Sequence, residues 1–161
     1  MLKSVVIYDS LYGNTEKIAR AIGDTLAEVG ESAILRVGDA KMDLLDGVGL
    51  IVVGSPTQGF KSTEAIKAFL KGIPEHQLQG IKVAAFDTRF TPSNIASTPV
   101  LPYFAKIFGY AAEPIAKALQ KKGAELAISP QGFYVEGKEG PLVEGELERA
   151  SAWARKLYTE V

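Results

Sequence analysis

The chain has 161 residues, with 18 basic and 19 acidic side chains and a formal net charge of −1, so it has no overall field to recruit nucleic acid or an acidic membrane surface. It has no cysteine and a single histidine, His76, which excludes disulfides, thiolate metal sites, thiol nucleophiles and histidine clusters. With 47% hydrophobic residues, no 18-residue apolar run and no signal-like start, the expectation is one cytoplasmic domain over residues 1–161, without membrane insertion.

Residues 5–8 form a continuous apolar run, as a strand buried on both faces requires, and end in the polar stretch Ser10-Leu11-Tyr12-Gly13-Asn14-Thr15. Residues 15–29 space Ile18, Ile22, Leu26 and Val29 as a helix, with Gly30 placed to end it. Residues 33–37 and 50–53 read as the second and third strands, the third stopped by Gly54-Ser55-Pro56. Residues 62–71 put Ile66, Phe69 and Leu70 on one helical stripe before Gly72 and Pro74, and 81–86 is a fourth strand. A helix over 114–122, a fifth strand over 125–128 and a closing helix over 144–158 complete the pattern, the last with Leu147, Ala150, Ala154 and Leu157 as its apolar edge. Five buried strands alternating with helices predict a three-layer αβα, doubly wound, five-stranded parallel sheet.

Two stretches break the rhythm. Residues 91–109, with Pro92, Pro99 and Pro102, read as a binding loop or lid containing a short helix over 103–108, because long connections inside a compact domain are usually functional. Its apolar residues are Leu101, Tyr103, Phe104, Ile107 and Phe108. Residues 130–141 are rich in glycine around Gly132-Phe133-Tyr134-Val135. Tyr134 and Trp153 are expected in the core, and His76 is expected to be an exposed bystander.

Ligands of open parallel sheets sit beyond the carboxyl ends of the strands, where strand order reverses. The first such loop leads into a helix N-terminus, whose unpaired N–H groups hold an anion without a charged side chain. Neither GxxxxGK[ST] nor GxGxxG occurs there, so a phosphomonoester held by amides and hydroxyls fits better than a nucleoside triphosphate or a dinucleotide. The alternative reading is a polar turn in which Asn14 or Thr15 caps the helix. A receiver-type phosphorylation site would need acids after strands one and three, and the third strand ends in Gly54-Ser55-Pro56. No nucleophile, acid–base pair or metal cluster stands out, so no catalytic or metal-binding residue is expected.

Ser10-Leu11-Tyr12-Gly13-Asn14-Thr15 resembles the flavodoxin phosphate motif [ST]-x-[ST]-G-x-T, with Tyr12 as the one departure. Gly54-Ser55-Pro56-Thr57-Gln58-Gly59-Phe60 looks like that family's first flavin loop, and Asp87-Thr88-Arg89-Phe90 like its second. The S-x-Y-G phosphate loop is also similar to that of the WrbA-type quinone oxidoreductases. The resemblance implies strand order 2-1-3-4-5 and bound FMN, with the first loop on the phosphate and the other two around the ring. Phe60 and Phe90 would sandwich that ring, and Arg89 would lie near it. The implied function is electron transfer between redox partner proteins. The alternative is an FMN-dependent NAD(P)H:quinone-type oxidoreductase, in which residues 91–109 roof a pocket for a small acceptor such as a quinone.

Overall fold

The computed structural model describes residues 1–97 and 99–161, and only the backbone at 104, 107 and 108. Its elements are β1 (Leu2–Tyr8), α1 (Asn14–Leu26), β2 (Gly30–Arg36), β3 (Leu50–Pro56), α2 (Glu64–Gly72), β4 (Lys82–Phe90), α3 (Pro92–Ala96), α4 (Leu101–Phe108), α5 (Ala112–Lys121), β5 (Glu125–Leu126), β6 (Gln131–Val135) and α6 (Glu146–Thr159). Two short 3₁₀ turns, Val37–Asp39 and Met42–Leu45, join β2 to β3.

The sheet is parallel in the order β2-β1-β3-β4-β5, with β6 also paired to β4. The three-layer arrangement expected from the sequence is therefore present. Its fifth position is shared by two pieces: β5 pairs with Lys82 and Val83, and β6 with residues 86–90. Between them lies Pro130, which has no N–H to give to a ladder. The glycine-rich stretch around Gly132-Phe133-Tyr134-Val135 thus forms a strand. Gly132 is needed there because a Cβ would lie 2.1 Å from Arg89 Nε.

Alternation along the strands divides the core. Val5, Ile7, Ile51, Val53, Val83 and Ala85 face α2 and α5, where Ile66, Leu70, Ile115 and Leu119 meet them. Val6, Tyr8, Val52, Ala84 and Phe86 face α1 and α6, against Ile18, Ile22, Ala154 and Leu157. Phe86, Phe133 and Trp153 pack edge to face in that second half, with centroids 6.1–6.3 Å apart, a favoured quadrupole arrangement. Trp153 is in the core as expected. Leu147, expected on the apolar edge of α6, is exposed, and Trp153 takes its place.

Three of the boundaries that differ from expectation have a steric or pairing cause. Helix α1 ends at Leu26, and Gly30 opens β2, where a Cβ would meet the Leu2 carbonyl oxygen at 2.0 Å. Gly54-Ser55-Pro56 does not stop β3, which continues through Pro56. Gly54 instead leaves room for the Phe86 ring, 2.0 Å from where a Cβ would stand. Asp87-Thr88-Arg89-Phe90 is the end of β4 and not a loop, paired with β3 on one side and β6 on the other.

The segment over 91–109 carries two helices. Thr91 caps α3 by accepting the Asn94 N–H, and α4 begins two residues before the expected helix. Of the expected apolar lid residues, Tyr103 is exposed and Leu101 is half-buried; the side chains of Phe104, Ile107 and Phe108 lie outside the described residues. His76 is exposed, as expected. Among the described residues no helix is long and apolar enough to cross a membrane.

Candidate functional site

The strand ends β1, β3 and β4 converge on a cleft of about 250 Å³. Its walls come from Ser10, Leu11, Tyr12, Asn14 and Thr15 after β1, from Pro56, Thr57, Gln58 and Gly59 after β3, and from Thr88, Arg89 and Phe90 at the end of β4. Val135 at the end of β6 and Lys138 in the β6–α6 connection close it.

The first wall is shaped by Gly13, which precedes α1 at φ +90°, a backbone conformation that glycine adopts without steric cost. Ser10 is buried, and its Oγ accepts the N–H of Gly13 at 3.1 Å and of Glu16 at 3.3 Å. Both of its acceptor positions serve the turn, which leaves its hydroxyl proton free to be donated to a ligand. Among the described residues, the N–H groups of Leu11, Tyr12, Asn14 and Thr15 have no protein acceptor. Four orphan donors at the positive end of α1 make a seat for an anion. The residue at the N-cap position is Gly13, which has no side chain to cap with, and the first-turn N–H of Glu16 goes to Ser10 Oγ, which weighs against Asn14 or Thr15 acting as a helix cap.

From behind, the loop is clamped by Arg36, whose Nη1 donates to the Ser10 carbonyl at 2.9 Å and to Asp9 Oδ1 at 3.3 Å, with the guanidinium above the Tyr8 ring. Glu16, in the first turn of α1, is hydrogen-bonded by Arg20 Nη2 at 2.8 Å, which holds its carboxyl below the ordinary range despite some desolvation. Asn14 turns away to donate to the Glu139 carbonyl at 3.1 Å. Thr15 Oγ1 lies 2.8 Å from Thr88 Oγ1, joining the first wall to the third inside the protein.

The second wall is a tight hairpin. Gln58 and Lys61 exchange backbone hydrogen bonds at 2.8 and 2.9 Å around Gly59 and Phe60, whose φ values of +52° and +66° are positive at both central positions, as in a type I′ turn. Phe60 is a non-glycine residue in a sparsely occupied region. Ser55 lies fully buried behind this wall, where its Oγ accepts the Thr63 N–H at 3.0 Å. Thr57 Oγ1 accepts the Ala111 N–H, which anchors the hairpin to the start of α5.

In the third wall, Asp87 is fully buried and receives Arg89 Nε at 2.7 Å, Arg89 Nη2 at 2.8 Å and the Ala112 N–H at 2.9 Å. Burial pushes the Asp87 carboxyl up, against the pull of those donors. Burial works against the Arg89 charge too, but the Asp87 contacts more than offset it, so the guanidinium stays charged. That guanidinium also stacks 3.9 Å from the Tyr110 ring centroid. Arg89 is therefore a fixed cation with its partner built in, and Asp87 holds both it and the first turn of α5.

Of the sequence-predicted residues, Gly13, Ser55, Phe60 and Asp87 stand outside the cleft lining. Gly13 shapes the turn, and Ser55 and Asp87 brace the walls from behind. Phe60 faces an adjoining cavity of about 80 Å³ with Ile95, Leu101 and Tyr110, which shares Thr57, Gly59, Arg89 and Phe90 with the cleft. Sequence reasoning missed Val135 and Lys138. The usable signal was positional, since Val135 ends a strand and Lys138 follows it at the carboxyl edge of the sheet, but β6 had to be recognised first.

A family model described as Flavodoxin matches residues 6–153. A curated relative, "Probable flavodoxin 1" of Bacillus subtilis (strain 168), is 25% identical over 133 residues, 81% of each chain. Among solved structures, oxidised Flavodoxin 2 from Bacillus cereus superposes with a TM-score of 0.75 at 23% identity, over 99% of both chains. The rubredoxin oxygen:oxidoreductase of Desulfovibrio gigas superposes with a TM-score of 0.70 at 19% identity, over 98% of this chain and 36% of its own. The chain belongs to the flavodoxin family, whose members bind FMN and transfer electrons to redox partner proteins.

Proposed function

We propose that this chain, as one domain over residues 1–161, binds a single FMN in the cleft and carries electrons one at a time between protein partners. The observation that carries this reading is the set of orphan N–H groups of Leu11, Tyr12, Asn14 and Thr15 at the start of α1, which suits the phosphate end of the cofactor. Ser10 adds a hydroxyl donor, and Lys138 brings the positive charge that the loop itself lacks. Thr57, Gln58, Gly59 and Phe90 would border the ring, with Arg89 held charged beside it by Asp87.

When bound, the flavin supplies reversible one- and two-electron chemistry. The residues of the chain bind it, orient it and set the charge around it. A cleft of about 250 Å³ lies below the ~300 Å³ lower end of enclosed small-molecule sites, which suits a cofactor whose reactive edge stays open to a partner. The adjoining cavity of about 80 Å³ beneath α4 is smaller still, and this favours the carrier over a quinone reductase with a roofed acceptor pocket.

The test is an anaerobic reductive titration of the FMN-reconstituted protein. Two resolved one-electron steps are the expected result. Direct two-electron reduction by NAD(P)H with quinone turnover overturns the carrier reading in favour of the oxidoreductase, and absence of flavin binding overturns both.

A further inference from the structure

The near-zero net charge conceals a difference in sign between faces. Residues 61–75 and 112–122, which contain α2, α5 and their flanks, carry six lysines against three glutamates and neither aspartate nor arginine. In a chain of net charge −1 the remainder is therefore acidic.

Between α2 and α5 runs a groove of about 360 Å³, larger than the cleft. Its floor is apolar, built on Leu70 and Ile115 with Pro114 and Ala118 beside them. Its rim holds Lys61, Lys67, Lys71, Lys121 and Lys122, with Glu75 as the one acid. Lys67 pairs with Glu64 at 3.1 Å and Lys122 with Glu75 at 3.3 Å, but both carboxylates are largely exposed, and such pairs are worth little. Lys61, Lys71 and Lys121 have no acidic partner among the described residues.

An apolar floor inside a charged rim is the anatomy of a protein–protein interface. The groove also begins at Lys61, the closing residue of the hairpin whose Gln58 and Gly59 line the cleft. We infer that the α2–α5 groove is the docking surface for an acidic redox protein, one that presents clustered carboxylates around its own redox centre. In each encounter that partner's reduced centre loses one electron, and the cofactor in the neighbouring cleft gains it. A nucleic acid is the weaker fit, because phosphates gain nothing from an apolar floor and the lysines form a short rim rather than a long stripe. This inference rests on the electron-carrier reading.

The test uses the full FMN-loaded chain and a reduced, acidic [2Fe–2S] ferredoxin as probe, followed by stopped flow. Lys71→Glu/Lys121→Glu reverses two unpaired rim charges, while Arg155→Glu/Lys156→Glu makes the same net change at exposed positions of α6. At low ionic strength the groove variant is expected to lose about tenfold or more in second-order rate. The α6 variant is expected to stay within about twofold, and the gap is expected to close at high salt. Equal losses in the two variants, or no loss in the groove variant, overturn the proposal.

A second readout separates this from failure of the carrier reading. Flavin-free ¹⁵N-labelled chain is titrated with the oxidised ferredoxin, and amide shifts confined to α2, α5 and the 58–61 hairpin uphold the groove whether or not flavin binds. Shifts elsewhere, no shifts, or the same shifts at comparable affinity with a DNA duplex overturn it.

Discussion

The two helical layers cover the same sheet in opposite ways. On the α1/α6 side the seal is complete: Phe86, Phe133 and Trp153 interlock edge to face, and Ile18, Ile22, Leu26, Ala154 and Leu157 are fully buried. On the α2/α5 side Leu70 and Ile115 are shielded from water, yet a lysine-rimmed groove remains open above them. The closed layer gives the start of α1 a rigid base, so its unpaired amides are aimed before any ligand arrives, which reduces the ordering cost of binding. The open layer leaves apolar surface and charge available beside the cleft. On the reading proposed above, one face serves holding and the other meeting.

The sharpest way to break this contrast is to truncate one side chain in each layer. Trp153→Ala empties the aromatic cluster and is expected to cost about 3–5 kcal/mol, whereas Leu70→Ala, at the floor of an open groove that water can enter, is expected to fall near or below about 2 kcal/mol. Urea denaturation of flavin-free protein measures both without ligand linkage. Equal costs would mean that the groove is closed in solution. Comparable in size is Asp87→Ala, which strands the half-buried Arg89 guanidinium and the Ala112 N–H and is expected to cost about 3–5 kcal/mol. Asp87→Asn, which keeps an acceptor, is expected to recover part of that in the same assay.

Much of this was legible because a strand in a parallel sheet is buried on both faces and so reads as a continuous apolar run. Val5 to Tyr8 and Leu50 to Val53 needed no partner to be recognised. The sequence became opaque where burial rests on a distant polar partner. Ser55, Asp87 and Thr88 lie in strands although they read as loop residues, because the Thr63 N–H, Arg89 and Thr15 satisfy them inside the fold. Gly132, in a stretch whose glycine content broke the strand–helix rhythm, is a strand residue that makes room for Arg89. For the site, the rule that ligands gather at carboxyl ends of strands brought three loops into view. Lys138 stayed hidden because its position depends on β6, and Phe60 was displaced to the adjoining cavity because the turn at Gly59 and Phe60 reverses the chain within two residues.

A smaller effect probes the holding face. Thr15→Ala removes a hydroxyl shared with Thr88 but leaves the Thr15 N–H in place. FMN affinity, followed by flavin fluorescence quenching, is expected to weaken by about 1–2 kcal/mol, the scale of one lost hydrogen bond. Unchanged affinity would mean that the backbone amides alone hold the anion. Lys138→Ala is the companion test: a loss that shrinks as salt rises marks a charge contribution, whereas a loss independent of salt marks packing.

The smallest expected effect lies at the far end of the sealed layer, where Glu146 opens α6. Its Oε2 accepts the Tyr134 N–H at 2.7 Å, and its Oε1 accepts Arg149 Nε at 2.8 Å. Burial works to raise its carboxyl, but the Arg149 hydrogen bonds and the Tyr134 N–H outweigh it, so the folded value lies below the ordinary one. A carboxyl depressed in this way contributes stability that is fully present above the unfolded value of about 4.3 and is lost as pH falls through the lower folded value. Glu146→Gln cannot titrate, so its stability is expected to depend less on pH across that acidic window than that of the parent chain, while lying below it at neutral pH. Urea midpoints measured from neutral to acidic pH test this. Parallel curves for the two proteins would show that β6 is fastened to α6 by packing alone, without help from the Glu146–Arg149 pair.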